Sequence, residues 1–186
     1  NVVTAELALD ENGIFTGLRV TTVANLGAYL TLLGPHSSTN NLGSLSNTYK
    51  TPAIYTHVTG VFTNTNSTGP YRGAGRPEAV YCVERVIDTA AREMGIDAAE
   101  IRRRNLIPEI SEPYSTGFLF TYDSGEFEKN MDAALEMIDY AEFADRRADS
   151  ESTGKLRGIG IANCIEQSAG GPPEWAQIRF DPSGTV

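Results

Sequence analysis

The segment Pro70-Tyr71-Arg72-Gly73-Ala74-Gly75-Arg76-Pro77-Glu78 holds the residues of this chain best suited to chemistry. Two glycines and two arginines stand directly ahead of a helix-start signal. Pro77 suits the first helical position, and Glu78 favours the positive end of the helix dipole. A glycine-rich turn that feeds a helix N-terminus exposes backbone N–H groups beside a partial positive charge. Arg72 and Arg76 add two cations. The combination suits an anion, an oxo group or a phosphate held close to the backbone. The same G-x-G between a strand and a helix also makes a plain tight turn, and the pattern alone leaves both readings open. A dinucleotide fingerprint does not fit, because the third glycine is missing and no parallel βαβ unit is expected around it.

Other catalytic hardware is sparse. His36 falls in a polar loop and His57 alternates with Val58 on an expected strand. Neither has a second His, Cys or carboxylate at metal-ligand spacing, so both read as structural. Cys82 on a helix and Cys164 on a strand read as buried fillers, with no C-x-x-C spacing to suggest zinc or a disulfide framework. No G-x-S-x-G, H-E-x-x-H or Walker loop occurs. Arg102-Arg103-Arg104 lies among acids on an expected helix and reads as a solvated face. Fifteen Lys and Arg against 24 Asp and Glu give a net charge of −9 over 186 residues, which disfavours nucleic acid as a partner. No apolar run is long enough to span a membrane.

The elements that must position the loop follow from periodicity. Val3, Ala5, Leu7 and Leu9 alternate as a half-buried strand, Asp10-Glu11-Asn12-Gly13 turns the chain, and 14–24 returns as the second arm of a hairpin. Residues 34–46 are a loop or a weak helix. Residues 55–62 alternate as a third strand, and 63–75 are rich in turn residues. Val80, Val83, Ile87, Ala90, Ala91 and Met94 recur at helical spacing, and Gly95 stops that helix. Asp97 and Glu100 are spaced as a capping box for a second helix through Leu106. Residues 109–121 are irregular or a small hairpin. A third helix starts near Ser124-Gly125, carries Phe127, Met131, Leu135 and Ile138, and runs on or restarts through Ala148. After a linker at 151–154, residues 156–165 and 175–180 read as strands on either side of Gly170-Gly171-Pro172-Pro173. The order predicts an α+β fold, with a β-hairpin and strands flanking a central helical segment. The organisation reads as 1–150 with the strands, the Arg/Gly loop and the helices, then 151–186 as the start of a second region.

The run Y-R-G-A-G-R-P-E-A, with the helices after it through Asn105-Leu106-Ile107, resembles the large subunit of the molybdenum hydroxylases: the xanthine dehydrogenase, aldehyde oxidase and carbon monoxide dehydrogenase relatives. The likeness extends upstream through 24–29 and 47–52 and downstream through 158–162 and Asp181-Pro182-Ser183-Gly184. It covers nearly the whole chain and places it in the molybdopterin-binding region of a larger subunit.

The resemblance implies a molybdenum-pterin cofactor, as molybdopterin or its cytosine dinucleotide, and hydroxylation with oxygen drawn from water. It implies iron–sulfur clusters and FAD on partner subunits or domains, and a small-molecule substrate. Arg72, Gly73 and Ala74 are the implied cofactor-binding residues, with the Arg72 N–H meeting the molybdenum centre. Ala74 lies on the implied substrate side, where xanthine-type relatives carry a stacking aromatic ring, so a purine is disfavoured. Copper-type carbon monoxide oxidisers carry Cys where Gly73 stands, and glycine offers copper no ligand. An aldehyde or an aromatic N-heterocycle is the expected substrate. Glu166 opens a stretch through Pro173 that corresponds to another wall of the substrate pocket. The family's general-base glutamate has no counterpart, so no catalytic residue is assigned; Glu78 and Glu84 read as helix-face residues. The chain is therefore expected to be an inactive internal fragment that self-associates, from a cytoplasmic protein, or a periplasmic one if an export signal precedes it. The competing reading is a stand-alone binding or scaffold module of the same fold without catalysis.

Overall fold

Alternating apolar residues at the start of the chain have one way to bury themselves, which is to pair and cover one face with a helix. The computed structural model describes residues 1–39, 42–166 and 175–184. β1 (Val2–Leu9) and β2 (Phe15–Asn25) form the expected antiparallel hairpin, Val2 opposite Val23 and Leu7 opposite Leu18, with a register shift between Ala8 and Leu9. The Asp10 carboxylate accepts the Asn12 and Ile14 N–H groups and shapes the turn. β3 (Ile54–Val61) lies on the other side of β2 and runs parallel to it, Leu18 opposite Ile54 and Asn25 opposite Val61. That parallel pair is not apparent from the sequence. Its crossover is a long connection that includes, among the described residues, the short helix α1 (His36–Thr39) and a 3₁₀ turn at Leu42–Leu45. His36 thus heads a helical turn.

α2 (Arg76–Met94) packs across the sheet. Ala79, Val83, Ile87, Ala90 and Ala91 are buried against Phe15, Leu18 and Val20 of β2, with Leu45 and Tyr49 in the same core. Gly95 closes the helix in the left-handed conformation, as expected. α2 feeds no further parallel strand among the described residues, so a mononucleotide-binding βαβ arrangement is absent there. α3 (Ala98–Asn105) starts on Asp97, whose Oδ1 accepts the N–H groups of Ala99 at 2.8 Å and Glu100 at 3.0 Å. The return half of the capping box does not form, because the Glu100 carboxylate turns to Arg103 and Arg104. Asn105, buried, binds the hairpin turn: its Oδ1 accepts the Phe15 N–H at 2.7 Å and its Nδ2 donates to the Gly13 carbonyl at 2.8 Å.

The stretch after α3 resolves to the small hairpin, β4 (Tyr114–Ser115) against β5 (Thr121–Tyr122). α4 (Phe127–Met137) buries Met131, and α5 (Phe143–Ser152) restarts the helix after a 3₁₀ turn at Tyr140–Glu142. The expected linker is thus helical through Ser152.

Residues 156–165 and 175–180 are not strands. Both stretches lack a partner strand among the described residues, and a strand exists only through its neighbour's hydrogen bonds. Leu156 is 97% exposed and Trp175 81% exposed, which shows how little of either stretch is covered. Cys164 is accordingly exposed rather than a buried filler, and Cys82 is only half-buried. The expected turn at 170–171 lies outside the described residues.

Candidate functional site

The loop ahead of α2 is built by two glycines in the left-handed region, Gly73 at φ +90° and Gly75 at φ +88°. These conformations let the chain double back: the Ala74 N–H donates to the Tyr71 carbonyl at 2.7 Å, and the Arg76 N–H to the Gly73 carbonyl at 2.9 Å. The Glu78 carboxylate accepts the Gly75 N–H at 3.0 Å. Pro77 has no N–H. The first turn of α2 is therefore largely closed to an anion, contrary to the simplest form of the expectation. The open donors sit one step earlier. The Arg72 and Gly73 N–H groups donate no hydrogen bond to any described residue. A pterin-bound metal centre would offer acceptor atoms, and two adjacent amides on a half-exposed glycine-shaped turn fit it.

The arginines part company. The Arg72 side chain is exposed and makes no ion pair with a described residue. The Arg76 Nε lies 2.9 Å from a carboxylate oxygen of Glu166. Arg76 is therefore a paired cation, and the pair brings the 156–166 stretch to the start of α2. Both residues line a cavity of about 530 Å³ with Ser44, Phe120, Tyr122 and Ile165. Arg72, Gly73 and Ala74 do not line it. Arg76 links Glu166 to the end of the loop. The rest of the expected wall, 167–173, lies outside the described residues.

Between α2 and α3 lies a polar cluster; the sequence reading placed its Arg102 on a solvated face and its Glu84 on a helix face. Arg102 is 0% exposed and Glu84 only 6%. The correction has a simple origin: the Arg102 guanidinium spends its donors on partners inside the fold. Its Nε donates to Glu84 Oε2 at 2.8 Å, its Nη2 to Asp88 Oδ1 at 2.7 Å, and its Nη1 to the Ala98 carbonyl at 2.8 Å. Glu84 Oε1 accepts the Tyr49 hydroxyl at 2.7 Å and the Asn47 Nδ2 at 3.0 Å. Burial pushes the Glu84 carboxyl up and the Arg102 guanidinium opposes it; burial and the Glu84 charge both push the Tyr49 hydroxyl up. Both oxygens of Glu84 are thus occupied by fixed donors. Arg103 and Arg104 do stay near the surface, paired to Glu128 and Asp132 and to Glu100 respectively. No group of three or more His, Cys, Asp or Glu among the described residues is arranged to hold a metal ion directly. No helix among them is long and apolar enough to cross a membrane.

Comparison with known proteins agrees with this geometry. The profile of the molybdopterin cofactor-binding domain matches residues 1–106, which contain β1 to β3, the loop, α2 and α3. The carbon monoxide dehydrogenase large chain of Hydrogenophaga pseudoflava is 38% identical over 97% of this chain and 25% of that protein. Among solved structures, the reconstituted CO dehydrogenase from Oligotropha carboxidovorans superposes with a TM-score of 0.73 and 28% identity, over 82% of this chain and 19% of the other. Quinoline 2-oxidoreductase from Pseudomonas putida 86 does so with a TM-score of 0.71 and 29% identity, over 81% and 19%. The chain thus spans about a quarter of the length of the curated relatives it matches. A matched profile over more than half the chain shows that this chain belongs to the molybdopterin cofactor-binding domain family.

Proposed function

We propose that this chain is the part of a molybdenum hydroxylase large subunit that presents Arg72, Gly73 and Ala74 to the cofactor, in a protein that oxidises an aldehyde or an aromatic N-heterocycle. The observation that carries this is the pair of amides at Arg72 and Gly73 that bond no described residue, on a turn that requires glycine, inside a domain of the cofactor-binding family. When bound, the molybdenum-pterin group supplies the electron acceptor and the site of oxygen transfer. The protein's part is to orient it: the two N–H groups hold an acceptor atom by hydrogen bonds that need no side chain. Residues 1–150 would form this first region and 151–186 the opening of the second.

Substrate choice follows from side-chain size. Ala74 brings one methyl group to the substrate side and cannot stack on a purine. Gly73 has no ligand atom, so the likeness to carbon monoxide dehydrogenase does not extend to a copper held there. Glu166, fixed by Arg76, forms a further wall of the pocket. The cofactor in its cytosine dinucleotide form, iron–sulfur and FAD partner chains, and a cytoplasmic setting complete the reading.

The test is a pair of variants in the native protein. Gly73→Val forces a β-branched side chain into φ +90° and misplaces both amides. It should lower turnover of the protein's aldehyde or N-heterocycle substrate by about a hundredfold, the scale of losing one preorganised donor. Arg72→Ala keeps its amide and should retain molybdenum and most of the activity. Full activity in Gly73→Val would remove the loop from the site.

A further inference from the structure

The stretch from Leu156 to Glu166 reaches the start of α2 without a strand to lean on. Among the described residues it makes no backbone–backbone hydrogen bond. It is nonetheless extended, with Ile161, Asn163 and Ile165 turned inward and their neighbours outward. Side chains of the buried cluster take the place of a partner strand. Arg102 Nη2 donates to the Ile161 carbonyl at 3.0 Å, and Asn47 Nδ2 donates to the Asn163 carbonyl at 2.8 Å. These are alternate carbonyls on one edge of an extended chain, the ones a neighbouring strand would bind. Asn163 reaches back, its Nδ2 donating to the Tyr49 hydroxyl at 3.2 Å. Three residues on, Glu166 meets Arg76 at 2.9 Å.

We propose that Arg102 and Asn47, held rigid by Glu84, are positioning residues that fix where Glu166 stands against the loop at Arg72–Ala74. The inference rests on the proposed pocket reading for its consequence but not for its geometry. Arg102 and Asn47 each bond both the helical core and the stretch. Asn47 Nδ2 is shared between Glu84 and the Asn163 carbonyl, and Arg102 Nη2 between Asp88 and the Ile161 carbonyl. The Glu84 carboxylate orients both donors, accepting from Asn47 Nδ2 and Arg102 Nε. Asn47 adopts a positive φ of 46°, a conformation that asparagine tolerates and that aims its amide at both partners.

The test is a pulsed spin-label distance in the intact native protein with Cys82→Ser. One label sits on the exposed Cys164 and the other on Glu93→Cys, on the exposed face of α2. A second pair, His57→Cys on β3 with Glu93→Cys in a Cys164→Ser background, reports the core. Asn47→Gly keeps the backbone conformation and loses the amide; Arg102→Lys keeps the charge but has three donors for the five acceptors that Arg102 serves. Each should at least double the width of the 93–164 distribution while the 57–93 distribution stays within its parent width. An unchanged 93–164 distribution, or equal broadening of both, overturns the proposal. Substrate kinetics on the same variants separate the two readings. A raised KM at unchanged kcat supports the wall at Glu166, whereas broadening with unaltered kinetics sustains the positioning role and removes Glu166 from the pocket.

Discussion

Arg102 is the residue whose environment departs most from its type. A guanidinium with no exposed surface stands among Glu84, Asp88 and three backbone carbonyls. Removing one partner of such a pair leaves a buried charge without compensation, which costs about 3–5 kcal/mol. Arg102→Met should therefore destabilise the protein on that scale in urea unfolding. Arg102→Met combined with Glu84→Leu should recover part of the loss, because the orphaned carboxylate is gone. A single variant within about 1 kcal/mol of the parent would contradict the geometry. The signal for this pair was present in the sequence. Glu84 lies four residues after Val80 and three before Ile87, on the apolar stripe of α2. Arg102 lies between Ala99 and Leu106 at helical spacing, on the apolar stripe of α3. Opposite charges, each on an inward stripe, are better read as partners than as two solvated faces. The glycine turn ahead of α2 was legible from the loop itself, but which amides stay open to the described residues was not. That depends on Glu78 and the Gly73 carbonyl taking the nearer donors.

At the scale of elements, α3 and α4 are joined by one arginine. Arg103 donates to Glu128 Oε1 at 2.9 Å and to Asp132 Oδ1 at 2.5 Å. The Asp132 carboxyl is held below its usual value, first by the Arg103 hydrogen bond and then by its charge. The folded chain therefore takes up that proton at lower pH than the unfolded chain does. The contribution is full above the ordinary Asp range near ~3.9 and is lost as pH falls through the lowered folded value. Unfolding experiments across that window should show a loss of stability in the parent that is smaller in Asp132→Asn. Identical pH profiles would contradict the pairing. Among the elements, the hairpin, α2 with Gly95, and α3 behind Asp97 were legible because each is specified locally by periodicity and caps. The parallel pairing of β2 and β3 was not, since it joins segments separated by an irregular crossover. The extended stretch at 156–165 was misread as a strand for a related reason. Alternation of apolar residues reports one covered face, and the cover here is a side-chain cluster rather than a neighbouring strand.

At the scale of the molecule, the pieces serve one end. The hairpin and β3 give α2 a surface to pack on, α2 sets the glycine turn at its start, and α3 supplies the arginine that reaches the Glu166 stretch. Ile178 and Phe180 stand exposed, as expected of a chain that spans a quarter of its relatives and meets the rest of a large subunit in the proposed protein. The net charge of −9 disfavours nucleic acid as a partner of this chain. The most direct measurement is metal and pterin analysis of the native protein carrying this sequence. The account predicts close to one molybdenum and one pterin per large chain, with iron in the same purified complex. A pure, intact and correctly folded protein without molybdenum or pterin would contradict it.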